Sequence, residues 1–204
     1  MTAAPRVSRR AAFLNVPYDG ELADLFLAYI AGLVGHGLTP RATLEVPGGA
    51  RRLDRIIDLI QECRYSFHDL SRVEVDTATP VTPRFNMPFE LGLAVACDRL
   101  TPRQHTWFVM ESEPRRLLKS LSDLAGTDAY VHEGSPEGIF REIGNALVRT
   151  TRQPTVQDLR IIHESLRTLV PEINERTGAR SMFEARAFRQ LVVEASMLAD
   201  KRVR

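Results

Sequence analysis

At 204 residues, with 44% hydrophobic and 26% charged residues, the chain is long enough to bury a full core and has the balance of an ordinary globular protein. A net charge of +1 gives no reason to expect nucleic-acid binding by bulk electrostatics. Residues 1–6 hold no apolar run of the signal-peptide kind, and no stretch approaches the roughly 18 apolar residues a membrane helix needs. Two cysteines and five histidines without metal-ligand spacing predict a reduced, cytoplasmic protein with no structural zinc.

The first 150 residues alternate short apolar runs with helical periodicity. Ala11-Ala12-Phe13-Leu14-Asn15-Val16, ended by Pro17, reads as a buried first strand. Leu22, Leu25, Phe26, Tyr29, Ile30 and Leu33 recur at three- and four-residue steps and predict a helix that Gly35 and Gly37 stop. Residues 38–46 read as a second strand, placed at an edge by Pro40. Leu53, Ile56, Ile57 and Ile60 mark a second helix, and residues 65–70 a third strand. The loop from Ser71 to Phe85 is long for a strand-to-helix connection, which points to function. A helix over residues 87–100, a strand over 106–110, a helix over 117–124 and a strand over 129–131 follow. A last helix over 139–148 has Ser135 as cap and Pro136 as its first residue.

Five strand–helix units in succession imply a parallel sheet with helices on both faces. Right-handed crossovers favour a flavodoxin-like order of 2-1-3-4-5, with ligands at the carboxyl ends of strands one and three. Beyond residue 150 the pattern changes to two helices, over 156–169 and 182–198, separated by the region of Pro171 and Thr177-Gly178. The division is therefore an α/β domain over 1–150 and a helical C-terminal appendage over 151–204. A helical pair this short must pack on the sheet domain or on another copy of the chain, so a homo-oligomer through these helices is expected.

Chemistry-bearing residues collect at the two strand ends. Glu90, in Pro88-Phe89-Glu90-Leu91-Gly92, reads as a first-turn carboxylate held on a rigid element, either a catalytic nucleophile or a charge that complements the helix dipole. Asn86 as N-cap would free it from capping, and Gly92 and Ala94 would allow a close approach. Asp69 either accepts from a sugar hydroxyl or forms an Asx-turn. His68, pointing the opposite way, reads as a satisfied half-buried histidine before a proton shuttle. Arg72 and Arg84 either clamp a phosphate or are solvated. After strand one, Asn15, Pro17, Tyr18 and Asp19 turn the chain. Tyr18 could stack on a base, and Asp19 either bonds a sugar or caps the helix near Glu21. Ser71 completes the set after strand three. Dinucleotide, P-loop and acyl-transfer motifs are all absent.

The segments 13–19, 60–72 and 86–94 together resemble a bacterial group related to nucleoside 2-deoxyribosyltransferases and, more distantly, to Toll/interleukin-receptor (TIR) domains, over roughly residues 11–150. The resemblance implies a flavodoxin-like sheet and a glutamate after strand three, here Glu90, that attacks the sugar or supports cleavage of the nicotinamide–ribose bond. Asp69 matches the acid of the transferases after strand three. The chain departs from them in lacking an aspartate just before the nucleophile, where it offers Asp76 at a distance and Asn86. It departs from TIR domains in having Met87-Pro88 where they carry a Trp-Cys pair. The resemblance also associates the chain with antiphage defence.

The expectation is thus an enzyme that cleaves an N-glycosidic bond in a nucleoside, nucleotide or NAD. NAD would enter as substrate and no cofactor or metal is required. Glu90 and Asp69 would do the chemistry, while Asn15, Tyr18 and Asn86 orient sugar and base, and Arg72 or Arg84 holds phosphate. The rival is a non-catalytic nucleotide-sensing module that uses the same pocket.

Overall fold

A computed structural model describes residues 7–46, 51–72, 75–76, 79, 82–83, 85–101 and 104–203. Its strands are β1 (Ser8–Asn15), β2 (Thr39–Ala42), β3 (Cys63–Asp69), β4 (Val75–Asp76), β5 (Thr82–Pro83), β6 (Thr106–Glu111) and β7 (Tyr130–Val131). Its helices are α1 (Ala23–Gly35), α2 (Arg52–Glu62), α3 (Asn86–Leu100), α4 (Arg116–Ser120), α5 (Pro136–Ala146), α6 (Val156–Thr177) and α7 (Ala185–Arg202). The main sheet is all-parallel in the order β2-β1-β3-β6-β7. Counting only its five strands, this is the expected 2-1-3-4-5 flavodoxin-like order. The switch point lies between β1 and β3.

Strand alternation sorts the core into two faces. Ala12, Leu14, Phe67 and Met110 meet α1 and α5 on one side. Ala11, Phe13 and Cys63 meet α2 and Ala94 of α3, and Leu70 and Val109 meet Leu91 and Leu117 of α3 and α4. Every residue from Leu25 to Gly35 in α1 is buried, because α6 and α7 pack on the side of α1 that the sheet leaves open. A helix that is apolar all round belongs in an interior. The α6 stripe Leu159, Ile162 and Leu166 and the α7 residues Phe188, Leu191 and Ala195 therefore extend one continuous core across residue 150.

Local chemistry sets the element ends. At the end of α1, Gly37 takes φ +77° while Leu38 N–H reaches Leu33 O and Gly37 N–H reaches Val34 O, a Schellman stop. Ser135 Oγ accepts from Gly138 N–H, with Pro136 opening α5, as expected.

The elements depart from the sequence reading in four places. The second strand covers only Thr39–Ala42, because Glu45 accepts from Ala42 N–H and Arg41 Nε and curls Thr43–Glu45 into a 3-10 turn. The long loop carries a short antiparallel pairing of β4 with β5. Pro171 does not break α6: Arg167 and Pro171 are both exposed, so the carbonyl that loses its N–H partner lies on the solvent side and the buried stripe runs on to Ile173. Finally, α3 starts one residue early. Its N-cap is Phe85 with no side-chain cap, Asn86 is the first helical residue, and Glu90 is the fifth, so no acid stands in its first turn.

Candidate active site at the carboxyl edge of the sheet

Glu90 is only 6% exposed, on the α3 face that also buries Leu91 and Ala94. One turn inside the helix, its carboxylate is neither a cap nor a first-turn dipole partner, so the plainer explanation of this acid is removed. Burial pushes its carboxyl up to about 7, against the opposing pull of Arg52 at the start of α2. This is opposite to the ionised form that a first-turn acid beside the helix dipole would take. Its Oε2 is buried and has no hydrogen-bond partner among the described residues. Gly92 faces open space rather than a close neighbour.

Tyr18, three residues past β1, is a sequence-predicted residue that feels the Glu90 charge. Burial holds the Tyr18 phenol protonated, and the Glu90 charge adds to that effect. Its hydroxyl shares a 2.9 Å hydrogen bond with Thr43 Oγ1, and its ring packs against Phe26 and Phe183 of the α1 and α7 layer. The ring is therefore committed to the fold, and the hydroxyl, bonded to Thr43, is the part of Tyr18 that senses the Glu90 charge. Pro17 behind it is buried.

Asn15 ties the two strand ends to α3. Its amide donates to His68 Nδ1 at 2.9 Å and to Met87 O at 3.1 Å, which fixes the first turn of the Glu90 helix against β1. Because Nδ1 of His68 accepts, its Nε2 carries the proton and donates to Ser66 Oγ at 2.8 Å. Ser66 then donates to His105 Nε2 at 2.8 Å, and His105 Nδ1 donates to Cys63 O at 2.9 Å. Both imidazoles are neutral in this chain, and burial holds His68 down at about 3. The satisfied-histidine reading of His68 fits, and the ring is fully buried rather than half-buried. Asn15 Oδ1 is likewise buried with no partner among the described residues, as is Glu111 Oε2 at the end of β6.

Asp69 points to the opposite face. Its Oδ2 accepts from Tyr29 Oη at 2.8 Å and pairs with His132 Nε2 at 3.3 Å, and its Oδ1 accepts from Ser71 N–H at 2.8 Å in an Asx-turn. His132 Nδ1 accepts from Gly134 N–H, so Nε2 carries its proton, which is shared between Asp69 and Ser71 Oγ at 3.1 Å. Burial works against the Asp69 charge, but the His132 and Ser71 interactions outweigh it and hold the carboxyl below its ordinary value. Among the described residues Glu90 and Asp69 share no partner.

Asp19 caps the 3-10 turn Gly20–Leu22 through Glu21 N–H. Arg72 forms ion pairs with Asp19 and Glu21, so this guanidinium staples the β1 end to the β3 end rather than standing free for a phosphate. Ser71 and Arg72 line a cleft of about 330 Å³ at the mouths of β3, β6 and β7, together with Glu113 and Arg116. Asn86 is exposed and is not the N-cap. Arg84 lies outside the described residues.

Sequence reasoning passed over Thr43, Arg52, Tyr29, His132 and Glu111. Glu111 is fully buried and paired with Arg116. Three of these carried a signal: Glu111 and His132 follow the fourth and fifth strands as Asp69 follows the third, and Arg52 opens the helix after Pro47-Gly48-Gly49. No group of acids, histidines and cysteines among the described residues could hold a metal ion, and no helix there is long and apolar enough to cross a membrane. No protein-family model matches the chain, and no curated protein matches it.

Proposed function

We propose that the chain cleaves an N-glycosidic bond in a nucleotide, a nucleoside or NAD, with Glu90 as the carboxylate that attacks or stabilises the sugar C1′. The observation that supports this most is a buried glutamate with an oxygen unpartnered among the described residues, at the switch point of a parallel sheet, where neither capping nor an ion pair to a described residue accounts for it. A carboxylate raised to about 7 and kept out of water gains most from a developing oxocarbenium, because that positive charge would restore its ionised form. The Tyr18 hydroxyl, held by Thr43, would orient the carboxylate or a sugar oxygen. Among the described residues, Arg52 is a cation near enough to act on Glu90 and would face an anionic part of the substrate, since Arg72 is engaged.

In this reading Asp69 holds the β3 end in place and does not touch substrate. One consequence favours the rival, a nucleotide-sensing module without turnover: the transferase-like second acid is locked away by Tyr29, Ser71 and His132. Incubation with NAD and each nucleoside and nucleotide, followed by chromatography for free base, separates the two. Turnover that is lost in Glu90→Gln supports the enzyme. Thermal stabilisation by a nucleotide without base release supports the sensor.

A further inference from the structure

The opposite, amino-terminal edge of the sheet carries a second cleft, of about 550 Å³, within the range of small-molecule sites. Arg9 and Arg10 line it at the start of β1, Arg149 in the segment after α5, and Arg152 in the segment before α6. Against these four guanidinium groups stands one lining acid, Asp200, and it is paired with Arg152 at 3.2 Å. His36 also lines the cleft. Its Nδ1 lies 2.8 Å from Gly32 O and burial lowers its pKa, so it adds no charge.

Helices α1, α5 and α7 all end at this edge, and their carbonyl ends would attract cations in any case. Part of that attraction is already met by other groups. The last carbonyls of α1 are met by the N–H groups of His36, Gly37 and Leu38. At the end of α5, Ile143 O accepts from Leu147 N–H, and Leu147 O just beyond the helix accepts from Thr150 and Gln153. At the end of α7, Ala199 O accepts from Val203 N–H and from Arg152, which also donates to Val203 O just beyond the helix. Arg152 is thus a structural cap that stiffens one wall. Arg9, Arg10 and Arg149 make no hydrogen bond or ion pair to any described residue. Three like charges gathered in one concavity without counter-charge repel one another, and an anion relieves that repulsion.

We propose that this cleft binds a small polyphosphorylated molecule. Guanidinium forks match phosphate oxygens bidentately, and three unpaired forks call for more than one phosphate group. The hydroxyls of Thr39 and Thr151 and the Tyr65 ring complete the lining and suit a polar ligand with a compact body. Enclosure between β1, α1 and α7 favours a small ligand over an extended nucleic-acid strand.

The test is titration calorimetry with inorganic tripolyphosphate and, separately, orthophosphate. The proteins are the wild-type chain, the triple variant Arg9→Gln/Arg10→Gln/Arg149→Gln, and Glu90→Gln. All three arginines are exposed, so the triple variant keeps its fold, checked by its melting curve. Tripolyphosphate should bind at least about tenfold tighter than orthophosphate, weaken with added salt, and lose at least about tenfold in the triple variant. Glu90→Gln should bind it as wild type does. The proposal is overturned if tripolyphosphate does not bind, if the triple variant binds it equally well, or if Glu90→Gln loses it. Tighter binding of a single-stranded oligonucleotide than of tripolyphosphate would overturn the small-ligand assignment.

Discussion

Replacing Glu90 with glutamine should stabilise the fold, and by an amount that depends on pH. The carboxyl lies at about 7 in the folded chain against an ordinary 4.5, because burial outweighs the pull of Arg52. The folded state therefore holds this proton more tightly than the unfolded chain. The contribution of Glu90 is most favourable below its unfolded pKa and is lost as pH rises through about 7. At about 1.36 kcal/mol per tenfold change in proton affinity, the penalty at alkaline pH is about 3 kcal/mol. Near pH 5 the same relation leaves under about 1 kcal/mol. Glutamine keeps the shape and never ionises. Glu90→Gln should therefore gain about 3 kcal/mol near pH 8.5, or roughly 6–12 °C in Tm for a chain of this size, and little near pH 5. Urea unfolding of both chains at the two pH values measures the difference, and the acid sensitivity that buried His68 imposes is common to both and cancels. An equal difference at both pH values, or a variant less stable at alkaline pH, would refute the burial argument.

Three further outcomes follow from the geometry. Asn15→Ala leaves His68 Nδ1 and Met87 O without their donor and should cost about 2–4 kcal/mol in urea unfolding; a cost under about 0.5 kcal/mol would show that Asn15 does not tie β1 to α3. Gly138→Ala would set a Cβ 1.9 Å from His132 O and should cost about 3 kcal/mol or more, whereas Gly92→Ala, with nothing within 4 Å, should gain up to about 1 kcal/mol from helix propensity; equal melting temperatures would contradict both. A chain ended after Thr150 uncovers α1 and should lose its cooperative melt, so a sharp transition in calorimetry would show that the first 150 residues fold alone.

The sheet was legible because its signals were local. The short apolar run of β1, the Ser135-Pro136 start of α5 and the Gly37 stop of α1 each name an element by its own chemistry, and crossover handedness orders the strands. The uncharged run from Leu25 to Gly35 was a stronger signal than its periodicity: a helix without a polar face needs a second covering layer, which is what α6 and α7 supply. Pro171 misled because the cost of a proline depends on which way its lost hydrogen bond faces, and one sequence does not show that. The site was less legible for the same reason. Asp69 and Glu90 lie at neighbouring strand and helix ends, but strand alternation sends Asp69 to the α1 face while Glu90 lies on the α3 face. Arg72 looked free until the fold brought Asp19 and Glu21 beside it. Glu90 gained most from the fold: as the fifth residue of α3 it is buried, raised and uncapped, which a first-turn acid would not be.

Release of free base from nucleosides, nucleotides and NAD, measured by chromatography across pH for wild type and Glu90→Gln, tests the proposed role of Glu90 most directly. The wild-type chain should release base from at least one of these substrates, rising with pH to a plateau above about 7 as Glu90 ionises. A Glu90→Gln chain that still melts cooperatively should lose at least about a hundredfold. No release by wild type from any of them, or equal release by both chains, would contradict that role.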